Sequence, residues 1–198
     1  MNRLTLDDIA DARAYERERD ELRARVIELK RKRRVPVGPV VSVVFENRET
    51  IRFQIQEMAR AERLYTDAAI QAELDTYNPL IPGPGELSAT LYIELTSRQE
   101  MEEWLPRLVG IERSVLLEIG DPPSIERCLV DPAHAANLTR EEVTAAVHFV
   151  RFSLDAAQVS AFGEGPVVLA TDHPEYRHRT ALGAETVASL LEDLTGPA

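Results

Sequence analysis

Residues 89–119 read ATLYIELTSRQEMEEWLPRLVGIERSVLLEI, and residues 147–170 read VHFVRFSLDAAQVSAFGEGPVVLA. Each opens on an apolar run, Ala89 to Leu95 and Val147 to Leu154, with the composition of a strand. Each then places hydroxyl or carboxylate residues where a helix N-cap belongs, Thr96-Ser97 in the first and Ser153 with Asp155 in the second. The helices that follow, Ser97 to Val109 and Asp155 to Phe162, run up to Gly110 and Gly163. A second strand comes after each, Ser114 to Ile119 and Pro166 to Ala170. Two such patterns predict an α+β fold, a mixed or antiparallel sheet of ferredoxin-like duplicated βαβ units with helices packed on one face. Between them, Asp121-Pro122-Pro123 leads into one more strand, Ile125 to Val130, and Asn137 to Glu142 has the composition of a helix start. A last amphipathic helix, Ala184 to Leu194, carries Val187, Leu190, Leu191 and Leu194 on one face.

N-terminal to this region, residues 1–34 read as one long helical arm. Thr5 and Asp8 resemble a capping box, with Leu4 and Ile9 as a hydrophobic staple. Ile9, Ala12, Tyr15, Leu22, Val26 and Leu29 form a narrow apolar stripe suited to docking on a core or on a second copy of the chain. Pro36 ends the arm. Residues 35–86 begin with a buried strand, Val37 to Phe45. In the next stretch Ile51, Ile55, Met58, Ala59 and Tyr65 match helical spacing, while residues 51–56 alternate as a strand would; the helical character of Glu57 to Leu64 favours a helix from about Arg48. A short helix, Asp67 to Tyr77, precedes the stiff loop Asn78 to Gly85. The 198 residues suit one domain made of these three stretches, 1–34, 35–86 and 87–198.

Composition narrows the function. A 44% hydrophobic fraction is that of a globular chain, and no apolar run approaches the roughly 20 residues that cross a bilayer. With an acidic N-terminus and one cysteine, Cys128, the expectation is a cytoplasmic protein without membrane contact or intrachain disulfide. The net charge of −11 argues against a general nucleic-acid binder. Residues 1–34 carry 11 Lys/Arg against 8 Asp/Glu, however, ending in five consecutive cations from Lys30 to Arg34. That run reads as a solvated helix end, with a partner-docking or RNA-touching patch as the alternative.

Dinucleotide, phosphate-loop, serine-hydrolase and zinc-protease signatures are absent. His173, Glu175 and His178 could supply metal ligands in a loop, although such histidines are more often surface residues. His148 alternates with apolar neighbours as a satisfied, half-buried histidine would, and Cys128 reads as a core residue. The densest polar constellation is Glu46, Asn47, Arg48, Glu49, Arg52, Gln56, Glu57 and Arg60. It is either a solvated helix face laced by weak ion pairs or, with Tyr77 and Asn78 of the stiff loop, a pocket where arginines bind an anion and Glu57 or Glu46 handles a proton.

The runs Phe45-Glu46-Asn47-Arg48-Glu49-Thr50, Phe53-Gln54-Ile55-Gln56-Glu57-Met58, Tyr77-Asn78-Pro79-Leu80-Ile81-Pro82 and Glu86-Leu87-Ser88-Ala89-Thr90 resemble a bacterial family of uncharacterised proteins, the domain of unknown function thirty-five-oh-one. The resemblance runs from Leu6 to Leu194 and implies no activity or cofactor. It implies a redox or peroxide-stress setting by association with rubrerythrin-like and iron–sulfur oxidoreductase-like neighbours. The chain has neither the cysteines for a cluster nor a Glu-x-x-His pair for a di-iron site. The leading expectation is therefore an accessory or protein-interaction protein, a homo-oligomer assembling through its first helix. The alternative is a small-ligand or metal-binding enzyme using residues 46–62, and nucleic-acid contact through Lys30 to Arg34 is the third.

Overall fold

Eight strands and six helices make up the described residues, 3–130 and 143–196, of the computed structural model. The Asn137 to Glu142 segment lies outside them. The first helical element is a 3-10 turn, Leu6–Asp8, closed by the expected Thr5/Asp8 capping box. The long helix α1 (Ala12–Arg33) starts only after Asp11, whose carboxylate accepts the Arg13 and Ala14 amides. The N-terminal arm is thus a capped turn followed by a helix, not one helix. A hairpin follows, β1 (Arg34–Val37) and β2 (Val41–Glu46), so the stretch expected as a single strand folds back at Gly38. Gly38 has φ +77°, and a Cβ there would lie 2.5 Å from the His178 ring, so only glycine fits this turn.

Asn47 ends β2 and caps α2 (Arg48–Ala61), which settles the ambiguous stretch as helix. Asn47 accepts the Glu49 and Thr50 amides, and Thr50 Oγ1 accepts the Asn47 amide in return. Ile51, Ile55 and Ala59 form its buried face. Tyr65, expected on that stripe, is 73% exposed because the helix stops at Ala61 and Arg63 turns the chain with φ 57°. Then come α3 (Asp67–Tyr77), β3 (Glu86–Ile93), α4 (Arg98–Arg107), β4 (Val115–Ile119), β5 (Ser124–Arg127), β6 (Val147–Ser153), α5 (Ala156–Glu164), β7 (Val167–His173), β8 (Tyr176–Ala181) and α6 (Ala184–Thr195). No helix among the described residues is long and apolar enough to cross a membrane.

The α+β class and the antiparallel pairing stand, but the duplicated units are arranged differently from a ferredoxin-like sheet. The strands form two four-stranded sheets, ordered β1-β2-β3-β6 and β5-β4-β7-β8. In each βαβ unit the helix carries the chain from one sheet to the other, β3 to β4 and β6 to β7. The pairing then runs between equivalent strands, β3 with β6 and β4 with β7. The sheets meet along both seams. Leu129 and Arg151 exchange main-chain hydrogen bonds on one side. On the other, the Tyr176 hydroxyl donates to Val37 O at 2.8 Å and accepts the Val40 and Val41 amides.

Alternate residues of both sheets, among them Val43, Phe45, Leu91, Leu117 and Leu169, fill one interior cluster. Full burial of such a side chain contributes about 1.5–3 kcal/mol. The stripe of α1 is spent within the chain as well: Tyr15, Leu22 and Val26 are buried together with Phe53 of α2 against them.

Candidate functional site

An open cleft of about 830 Å³ lies where the N-terminal end of α2 faces the Pro82-Gly83-Pro84 loop and the C-terminal end of α6. Arg25 of α1, the capping Asn47, and Arg48, Glu49 and Arg52 of α2 line it on one side, Glu192, Asp193 and Gly196 on another. The loop wall is held rigidly. The Gly85 amide donates to Leu194 O at 2.8 Å, the Gly83 amide to Glu86 Oε2 at 3.0 Å, and Gly85 adopts φ +75°.

Behind the cleft lies Arg33, 1% exposed. Its Nε donates to Phe45 O at 2.8 Å and its terminal nitrogens to Glu46 O, Ser189 O and Ser189 Oγ, and it pairs with Asp193. One guanidinium therefore fixes the end of β2, where α2 begins, against α6. Burial raises the Asp193 carboxyl above its ordinary pKa, with the Arg33 charge opposing. Sequence reading grouped Arg33 with a solvated basic run, yet it continues the α1 stripe seven residues after Val26, and that spacing was the available signal. The basic run, expected as a solvated helix end with a docking patch as the alternative, divides in the structure. Arg33 is buried, Lys30 lies 3.8 Å from Glu46 and Arg34 pairs with Glu94.

The sequence-predicted residues divide. Asn47, Arg48, Glu49 and Arg52 share the cleft. Arg25 pairs with Glu49, Arg48 donates to Asp8 at 2.6 Å, and Arg52 donates to Asp8 O at 2.7 Å and to Glu18 at 3.4 Å. Gln56, Glu57, Arg60, Tyr77 and Asn78 hold the N-terminal segment instead. Gln56 accepts the Ala10 amide and donates to Ala10 O, as Asn78 does with Leu4. Arg60 reaches Glu16 at 2.5 Å, and Tyr77 packs on the cluster of Leu4, Ile51 and Leu74. Glu57 accepts from Tyr15 Oη at 2.6 Å and from Arg19 at 2.8 and 3.0 Å. Those bonds, Arg19's foremost, hold Glu57 below the usual carboxylate range, which suits an anchor and not a proton acceptor near neutrality. Glu46 is 4% exposed and accepts from Thr90 at 2.8 Å, away from the cleft lining.

The metal candidates do not converge. The segment read as a loop is the β7–β8 hairpin, turning at Pro174-Glu175. His173 is buried, with Nε2 3.0 Å from Val109 O and Nδ1 accepting the Glu175 amide. Glu175 turns to Arg107 at 3.3 Å, and His178 lies against the Tyr176 ring. Among the described residues no group of three His, Cys, Asp or Glu side chains is arranged to hold a metal ion. His148 is fully buried, not half-buried, and its Nε2 lies 2.8 Å from Thr144 Oγ1 and 2.9 Å from Ala145 O. Burial pushes the Cys128 thiol up to about 12, so it is a core residue without nucleophilic character.

No curated protein matches this chain. A crystal structure of a novel protein of unknown function from Burkholderia pseudomallei K96243 is 38% identical, with a TM-score of 0.87 over 96% of this chain and 98% of that one. The family model described as protein of unknown function (DUF3501) matches residues 3–194. That match spans both sheets and all of the cleft lining but Gly196, and the chain belongs to the DUF3501 family.

Proposed function

We propose that the protein binds a small anionic molecule in the cleft between α2, the Pro82–Pro84 loop and α6. The observation that carries this reading is the convergence of Arg25, Arg48 and Arg52, from two helices, on a space of about 830 Å³. Small-molecule sites commonly span about 300–1,000 Å³. Guanidinium groups match carboxylate and phosphate geometry, and these three rest on carboxylates near the surface that an incoming anion can replace. Pro82 and Pro84 add rigid apolar walls for the body of the ligand. The reading is of binding, since of the two acids suggested for proton handling Glu57 faces Arg19 and Tyr15 and Glu46 faces Thr90, outside the cleft lining. On α1, the stripe residues Tyr15, Leu22 and Val26 pack within the chain itself.

A thermal-shift survey of phosphorylated and carboxylated metabolites tests the proposal, with wild type beside the double variant Arg48→Gln/Arg52→Gln. A ligand at a hundred times its Kd stabilises by about 2.7 kcal/mol. That shift is expected in wild type and absent from the double variant. A ligand that stabilises both equally binds elsewhere and refutes the proposal.

A further inference from the structure

Arg48 and Arg52 stand one turn apart on α2, and both line the cleft. Both are also held by a single residue outside its lining. Asp8 Oδ1 accepts from Arg48 at 2.6 Å, and the Asp8 main-chain oxygen accepts from Arg52 Nε at 2.7 Å. Asp8 Oδ2 accepts the Thr5 amide at 2.8 Å and the Thr5 hydroxyl at 3.1 Å. The Asp8 carboxylate thus occupies Arg48, and its main-chain oxygen holds Arg52, whose other acceptor is the Glu18 carboxylate at 3.4 Å. Among the described residues Arg48 donates to Asp8 alone, one of the five N–H groups a guanidinium offers. The segment carrying Asp8 is anchored on either side, Leu4 to Asn78 and Ala10 to Gln56. Asp8 can therefore release Arg48 without the N-terminal segment leaving the protein.

We propose that Arg48 and Arg52 form an anion subsite, that Asp8 is its tethered occupant, and that the ligand group it stands in for is a carboxylate or phosphate. The proposal rests on the cleft being a ligand site. A ligand anion then draws Arg48 from Asp8 toward the cleft, and the Asp8 carboxylate sets the affinity by competing for the Arg48 donors. Asp8 is 27% exposed and Arg48 39%, so the competition is that of a partly solvated ion pair. Such pairs are modest and weaken with salt.

Calorimetric titration of the full chain with inorganic phosphate and with succinate, at low ionic strength, tests this. Asp8→Asn is expected to bind the preferred anion about three- to fivefold more tightly than wild type. Arg48→Gln and Arg52→Gln are expected to lose most of the binding, and whichever probe binds more tightly to wild type identifies the group. Thr5→Ala loosens the same turn without freeing Arg48 and is expected to bind as wild type does. Unchanged affinity in Asp8→Asn, with binding lost in Arg48→Gln, overturns Asp8 as the occupant and leaves the cleft reading intact. A gain in Thr5→Ala equal to that in Asp8→Asn also overturns it. Failure of both anions to bind wild type and Asp8→Asn, or equal binding by Arg48→Gln, removes the cleft reading itself.

Discussion

Replacing Arg33 with methionine keeps most of the buried volume and removes the guanidinium that ties β2 to α6. Asp193 is then left without its ion-pair partner, and Phe45 O, Glu46 O and Ser189 O lose a donor. Breaking one side of a buried pair costs about 3–5 kcal/mol, because the surviving charge is uncompensated. For a chain of this size each kcal/mol lowers Tm by about 2–4 °C, so the loss is roughly 6–20 °C. The deficit also depends on pH. Burial raises the Asp193 carboxyl in the folded protein, so that group's contribution to stability is complete below its unfolded pKa and lost as pH rises through the folded value. Arg33 opposes that rise. Without it the folded pKa climbs further, and the variant recovers stability on acidification beyond any change in wild type. Urea unfolding at neutral pH and again as pH falls toward the ordinary aspartate value reads both effects, with a smaller deficit expected at the lower pH. Arg33→Met/Asp193→Leu, which removes both charges, is expected to regain most of the loss. A deficit below about 1 kcal/mol, or one independent of pH, refutes the assignment of Arg33 as the clasp behind the cleft.

Glu57→Gln is expected to cost about 1 kcal/mol at neutral pH, since it weakens the bonds from Arg19 and Tyr15. Glu57's folded pKa is depressed, so its advantage is present above the ordinary glutamate value of about 4.3 and lost as pH falls through the folded value. Wild type and variant should converge in acid-unfolding curves once pH falls below the folded Glu57 value, and a constant gap would contradict the Arg19–Glu57 anchor. Cys128 should resist a maleimide at about pH 8 until the chain is unfolded. Stoichiometric labelling of the native protein would mean that its surroundings are open.

The strand–helix–strand repeats, the Thr5/Asp8 capping box and the apolar faces of α2 and α6 were legible because period and capping chemistry are local properties. The partition of the strands into two sheets was not. A βαβ pattern carries no mark of whether its second strand returns to the first strand's sheet, and β8 was missed because Tyr176, His178 and Thr180 alternate among charged residues at an edge. The polar constellation on α2 was found, but its division was not. Arg52, Gln56 and Arg60 follow one another at four-residue steps along α2, but the fold of residues 4–19 decided that only Arg52 of the three reaches the cleft. Arg33 was hidden because a cation in a basic run looks solvated until a strand end and a helix supply carbonyls to receive it.

The most direct test of the binding site is a titration of the protein with its preferred anion, followed by NMR of the backbone amides and arginine Nε–H groups. Shifts should concentrate at Arg25, Arg48 and Arg52, with Gly83 and Gly196 on the opposite walls, and the Arg48 signal should move as it leaves Asp8. Shifts confined to Arg127, Arg177 and Arg179 on the other sheet, or a saturable response that leaves Arg48 and Arg52 unmoved, would contradict the cleft as the site.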